Sequence, residues 1–92
     1  MVKISGNDVL REGTKIGWLS GNDVYNLSGT KVGFYTANDI YNDRGVKIAY
    51  LDGAYLRLTN GTNLATERVR REIQGGAYSD LVRAAIMLLL GN

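Results

Sequence analysis

From the N-terminus to about residue 65, short apolar runs alternate with polar turns that end in glycine; beyond that the spacing of apolar positions changes. Four units begin at Gly6, Gly21, Ala37 and Gly53, a spacing of about sixteen residues that marks an internal repeat. Each unit opens with a short run holding Val, Ile, Leu or Tyr. A turn follows (Arg11-Glu12-Gly13, Leu27-Ser28-Gly29, Asp43-Arg44-Gly45 or Thr59-Asn60-Gly61), and then a second run with β-branched and aromatic residues. This pattern predicts a β-hairpin in each unit, with Gly placed where a tight loop needs a positive φ.

Aligning the units gives columns. Val9, Val24, Ile40 and Leu56 form one apolar column, and Ile16, Val32, Ile48 and Leu64 another; both are expected to point inward. Gly17, Gly33, Ala49 and Ala65 form a small-residue column, which suggests a close approach of backbones around an axis. Trp18, Phe34 and Tyr50 make an aromatic column, with Leu19, Tyr35 and Leu51 facing the other way. The fourth unit stops after Ala65, while Val2 to Ser5 precede the first. The N-terminal strand is therefore expected to complete the fourth unit and remove a free sheet edge.

After Ala65 the period becomes helical. Ala65, Val69 and Ile73 lie one turn apart, with Glu67 and Arg71, and Arg68 and Glu72, as charge pairs on the other side. Asn63 or Thr66 is expected to cap this helix and Gly75-Gly76 to end it, and Ser79 to cap a second helix from Leu81 to Leu90. That second helix is apolar nearly all round. One face is expected to pack on the hairpins and the surplus, at Met87, Leu88 and Leu90, to meet a second copy. The expected architecture is one domain, residues 1–92, mainly β with C-terminal α. Four pseudo-symmetric antiparallel hairpins occupy residues 2–65, and a tail of two short helices, residues 66–92, packs on the repeats, on a partner, or on both.

Composition narrows the function. There is no Cys and no His, so disulfides, thiolate chemistry, imidazole general bases and the commonest metal ligands are removed, which argues against an enzyme. Neither a cofactor nor a bound metal is expected. Net charge is +2 with both signs interspersed, and the one basic run, Arg68 to Arg71, is offset by Glu67 and Glu72. That run reads as a solvated helix face, not a nucleic-acid contact. A faint likeness of Tyr78 to Ile86 to the second helix of ribbon-helix-helix repressors lacks the ribbon strand that fold requires. No phosphate-binding glycine loop is present. The longest apolar stretch, Ala84 to Leu90, falls far short of the roughly 20 residues of a membrane span. With no signal peptide visible, a cytoplasmic protein is the reading favoured.

Two polar features compete with purely structural accounts. The Asn-Asp pairs at 7–8, 22–23 and 38–39 offer Asp8, Asp23 and Asp39 as oxygen ligands around an axis, or Asn7, Asn22 and Asn38 as ligand contacts. The plainer account is that they shape the turns between hairpins. Trp18, Phe34, Tyr50, Tyr25 and Tyr41 offer a stacking surface for a sugar ring or another flat ligand, although their register with the strand columns points to core packing. Choline-binding repeats share the alternation of Gly-Trp and Tyr, but are longer and richer in Trp.

The motif Gly21-Asn22-Asp23-Val24-Tyr25 with Ser28-Gly29-Thr30-Lys31-Val32-Gly33-Phe34, tiled four times over residues 2 to about 65, resembles the bacterial four-fold beta flower proteins. The resemblance implies a fold and a bacterial origin, and no transferable catalytic or binding residue. Ala54, Tyr55 and Arg57 depart from the motif, so strict equivalence of the fourth unit is not expected. The sequence thus points to a non-enzymatic binding or interaction module whose apolar tail forms a homodimer or meets another protein. Its alternative is a small-ligand or carbohydrate-binding module using the aromatics or the Asn-Asp ring.

Overall fold

A computed structural model of the chain describes residues 1–76 and 78–90, so Ala77, Gly91 and Asn92 of the tail lie outside the described residues. Nine strands follow one another: β1 (Val2–Ser5), β2 (Asp8–Arg11), β3 (Thr14–Ser20), β4 (Asp23–Asn26), β5 (Lys31–Thr36), β6 (Asp39–Asn42), β7 (Lys47–Asp52), β8 (Tyr55–Leu58) and β9 (Asn63–Ala65). Then come helix α1 (Thr66–Glu72), the short strand β10 (Ile73–Gln74) and helix α2 (Asp80–Leu89). The strands form a single sheet in the order β10-β1-β2-β3-β4-β5-β6-β7-β8-β9, antiparallel except where β1 meets β10. The protein is mainly β with a short C-terminal helical region.

Strand alternation decides which side chains share the inner face. Val9, Val24, Ile40 and Leu56 are fully buried there, joined by Leu19 and Tyr35 and by Val82, Ala84, Ala85 and Ile86 of α2. Each fully buried aliphatic side chain of this size contributes about 1.5–3 kcal/mol relative to exposure. Ile16, Val32 and Ile48 reach the same core by a different route. The register jumps between Val9 and Leu10, between Val24 and Tyr25 and between Ile40 and Tyr41, leaving one extra residue opposite each jump. Those extra residues are Ile16, Val32 and Ile48, half-buried against the core at a β-bulge.

The last hairpin lacks the bulge. Leu56 pairs with Leu64 and Tyr55 with Ala65 without a register jump. A missing extra residue shifts the alternation by one, because side chains on a strand change face at every step. Gly17, Gly33 and Ala49 therefore sit buried on the inner face, whereas Ala65 is exposed and ends the strand as the N-cap of α1. The expected four-membered small-residue column has three buried members.

The cause of the small residues also differs from a meeting of four backbones. A methyl at Gly17 would strike the Tyr25 carbonyl and come within 2.9 Å of Leu90, and one at Gly33 would strike the Tyr41 carbonyl and come within 2.7 Å of Leu89. The neighbouring strand and the C-terminal end of α2 together leave no room for a side chain. Helix α2 packs on β4, β5, β6 and β10.

Strand β1 pairs with β2 along its whole length and, through Val2 and Lys3, in parallel with Ile73 and Gln74 of β10. No ladder joins it to β9 among the described residues; α1 lies between β9 and β10 along the chain, and β10 covers the edge of β1. Neither Asn63 nor Thr66 caps α1, because Ala65 takes the cap position and Thr66 is buried in the first turn. The helix stops at Glu72, ahead of the glycines, as Ile73 turns extended (φ −117°) to join β1. Ser79 does cap α2, accepting from the Val82 amide at 3.4 Å.

Polar contacts fix the direction of α2 across the sheet. The Tyr78 hydroxyl, just before the helix, donates toward the Gly6 carbonyl and Asn7 Oδ1, each at 2.8 Å. Arg83 donates to the carbonyls of Ile73, Gly76 and Tyr78, and Arg70 of α1 forms a two-pronged ion pair with Asp80 at 2.7–2.8 Å. At the other end Arg11 donates to the Leu90 carbonyl at 3.1 Å, a cation on an unpaired helix C-terminus. Helix α2 thus begins beside the turn between β1 and β2 and ends beside the turn between β2 and β3.

Candidate functional site: the outer face and the two rims

The outer face of the sheet carries the aromatic row. Trp18, Phe34, Tyr50, Tyr25 and Tyr41 are half-buried and none belongs to the core cluster, so the expected core packing is corrected. Their in-register recurrence comes from cross-strand pairing on the outer side. Trp18 stands opposite Tyr25 and Phe34 opposite Tyr41, with rings stacked at 5.6 and 4.8 Å between centroids. Tyr50 stands opposite Arg57 instead.

Charges complete this row. Lys15, Lys31 and Lys47 pair with Asp8, Asp23 and Asp39 at 3.1–3.2 Å, and each ammonium lies 4.9–5.1 Å from the ring centre of Trp18, Phe34 or Tyr50. By register, Asp8 flanks Trp18 on one side and Tyr25 on the other, and Asp23 and Tyr41 flank Phe34 in the same way. The faces of Trp18 and Phe34 are therefore taken, by a second ring and by a lysine held to its carboxylate. A sugar ring would have to displace one of them to stack. Among the described residues no cluster of three or more ligating side chains is placed to hold a metal ion. The three carboxylates each have their own lysine.

One rim holds the two-residue turns between Ser5 and Asp8, Ser20 and Asp23, Thr36 and Asp39, and Asp52 and Tyr55. The first turn residue has positive φ (Gly6 60°, Gly21 59°, Ala37 56°, Gly53 60°), the backbone of a II′ hairpin turn. The Asn7, Asn22 and Asn38 side chains are exposed in these turns, and their backbone carbonyls accept from Leu19, Tyr35 and Leu51 at 2.8–3.0 Å. Ala54 does the same for Thr66 at 2.9 Å. The Asn residues thus serve the turns and form no ring of side chains. Burial raises the Tyr35 phenol above its usual value, and its hydroxyl donates to the Gly21 carbonyl at 3.2 Å.

The opposite rim holds the hairpin tips, at Glu12–Gly13, 27–30, 43–46 and 59–62. Asn26 and Asn42 shape two of them, each accepting through Oδ1 from two amides further along the loop. The N-terminal amine bonds Glu12 and holds that carboxyl below its usual range. Among the described residues the exposed large apolar side chains are Met1 (67%), Leu27 (59%), Val46 (56%) and Tyr55 (49%). Met1, Leu27 and Val46 belong to the tip rim; Tyr55 follows the Gly53-Ala54 turn at the other. Leu89 and Leu90 seat on Gly33 and Gly17, and Ile16, Val32 and Ile48 are half-buried against the core. Met87 lines a cleft of about 400 Å³ with Met1, Val2, Arg11, Arg71, Glu72 and Ile73. Met87, Leu88 and Leu90 are each half-buried against the core, so most of the helix surplus is absorbed within the chain.

Leu27 and Val46 were not singled out by sequence; the place of Leu27 in a polar turn is a signal that could have found it, whereas Val46 reads as the start of a strand. No family model, no curated protein and no solved structure matches the chain.

Proposed function

We propose that this protein is a non-enzymatic interaction module that binds its partner through the hairpin-tip rim. The observation carrying this reading is the concentration of exposed apolar side chains at that rim, with Leu27 and Val46 each more than half exposed at the tips of successive hairpins. A tip has no strand to pair and no core to reach, so an apolar side chain there gains nothing within the chain. Burial against a partner is what stabilises it.

The fold behind this rim is proposed to be a pseudo-four-fold flower of the beta flower kind, with α1 bridging the seam between β9 and β10. The recurring carbonyl bonds of Asn7, Asn22, Asn38 and Ala54 support that reading. The alternative, a small-ligand or carbohydrate module on the aromatic row, draws on the outer position of Trp18 and Phe34 but conflicts with the occupied faces of both rings.

The test replaces Leu27 and Val46 together by Ser in the full chain. The expected result is loss of association, whether with itself in sedimentation or with a captured protein, and an unchanged circular dichroism spectrum. Association unchanged by the double substitution would overturn the rim as the binding surface.

A further inference from the structure

The fourth hairpin tip carries a residue pair that its neighbours lack. In the second and third tips the loop-closing asparagine, Asn26 or Asn42, stands three residues ahead of the turn glycine. In the fourth, Leu58 holds that position and the asparagine has moved to Asn60, directly before Gly61. The backbone is otherwise alike, because Gly29, Gly45 and Gly61 donate to the carbonyls of Asn26, Asn42 and Leu58 at 3.0–3.1 Å. Asn60 is the only asparagine of the chain followed by glycine.

We propose that Asn60 is a site of spontaneous covalent modification. The Gly61 amide nitrogen displaces ammonia from the Asn60 side chain, and water then opens the ring to aspartate or isoaspartate. Nothing crowds the attacking nitrogen: a Cβ at Gly61 would find no atom within 4 Å, and residues 59–63 are exposed. The electrophile is prepared as well. The Thr62 amide donates to Asn60 Oδ1 at 2.9 Å, which polarises the side-chain carbonyl and favours attack at Cγ. That donor also stabilises the negative charge the oxygen gains when Cγ becomes tetrahedral. One restraint opposes the step. The Gly61 N–H must first leave the Leu58 carbonyl, a local opening at the tip of a hairpin whose last strand, β9, is three residues long.

In the first step the Gly61 nitrogen gives its proton to a solvent base. The N–Cγ bond forms, the Cγ–Nδ2 bond breaks, and Nδ2 leaves as ammonia. Water then cleaves either C–N bond of the resulting imide. Cleavage at Cγ gives aspartate, and cleavage at the main-chain carbonyl gives isoaspartate, with the backbone rerouted through the side chain. Either product lowers the net charge from +2 to +1. Isoaspartate also lengthens a turn that the Leu58 amide and Thr62 carbonyl close at 2.8 Å.

The other candidates lack this conjunction. Asn7, Asn22, Asn38 and Asn42 precede Asp, and Asn26 and Asn63 precede Leu, so each attacking nitrogen would carry a side chain. Asp52 precedes Gly53, but its carboxylate is bonded to Arg57 at 2.7 Å, and an ionised carboxylate is a poor target for a nitrogen nucleophile.

The test incubates the full-length protein in neutral and in mildly alkaline buffer, beside a sample unfolded in guanidinium chloride. Peptides are followed by mass spectrometry with electron-transfer fragmentation, which separates aspartate from isoaspartate. The expected result is conversion at Asn60 in the folded protein, several-fold faster in the alkaline buffer, with the other asparagines unchanged. Asn60→Ser keeps an oxygen acceptor for the Thr62 amide and should yield no acidic species on isoelectric focusing. An Asn60 that stays intact in the folded protein for as long as the unfolded sample takes to convert would overturn the proposal. So would equal conversion at the other asparagines. The modification needs no partner, so its failure would leave the reading of the tip rim untouched.

Discussion

The two rims of this sheet are built from the same repeated sequence and end up chemically opposite. At the short-turn rim each turn hands a backbone carbonyl to the next hairpin, and the Tyr78 hydroxyl ties the first turn to the start of α2. At the tip rim the loops close on themselves through Asn26 and Asn42, and what they present outward includes Leu27 and Val46. The difference shows how a repeat separates two tasks. Backbone hydrogen bonds of this kind recur at every short turn. At the tip rim the tips at 27–30 and 43–46 are closed by their own Asn, and the Thr59 amide and hydroxyl reach the Ile48 carbonyl of the preceding unit.

The largest effect expected is at the seat of α2, where the tip rim depends on the helix end. Gly33→Val forces a branched side chain against the Tyr41 carbonyl and Leu89, and should destabilise the protein by about 3 kcal/mol, read as a lower urea midpoint. An unchanged midpoint would mean that α2 does not rest where described. Next, Tyr78→Phe removes the hydroxyl that bonds Gly6 and Asn7 at the short-turn rim, at a cost of about 1 kcal/mol. Loss of stability without loss of association would separate the two rims cleanly.

A change in the opposite direction is expected at Ala37, which holds φ at 56° where the equivalent turns use Gly21 and Gly53. Ala37→Gly relieves that strain and should stabilise by about 0.5–1 kcal/mol in thermal unfolding, after the loss of chain entropy is counted. The smallest effect concerns the anchor of α2. The Arg70 guanidinium bonded to Asp80 holds the Asp80 carboxyl below its usual range. A lowered carboxyl contributes stability that is fully present above its unfolded value, about 4, and lost as pH falls through the folded one. Stability between pH 6 and 3 should therefore fall off more steeply in wild type than in Asp80→Asn, and salt should narrow the gap, since the Arg70 side of the pair is exposed.

Much of this architecture was legible in the chain. The hairpins, the inward column Val9, Val24, Ile40 and Leu56, the positive-φ glycines and the Ser79 cap all follow from local rules of period, turn chemistry and capping. What was not legible depends on non-local geometry. The bulges at Ile16, Val32 and Ile48 let two successive residues lean toward the core, so simple alternation does not give their facing. For the same reason the outer position of Trp18 and Phe34 was hidden: repetition in register looks alike on either side of a sheet. Strand β10 is two residues long and exists because β1 offers it an edge, which no propensity at Ile73-Gln74 announces. Of the candidate site, the aromatics and the Asn-Asp pairs were visible as motifs, but their mutual occupation by Lys15, Lys31 and Lys47 required the fold. Leu27 reads as a turn residue and Val46 as the start of a strand run, and only the exposure of their side chains sets them apart.

The most direct test of the difference between the rims is amide chemical-shift mapping of the wild-type protein at low and at high concentration. The account predicts shifts gathered at residues 27–30 and 43–46 and at the end of α2, with the amides of Gly21, Asn22, Ala37 and Asn38 unmoved. Shifts centred on the short turns or on the outer aromatic row would contradict it.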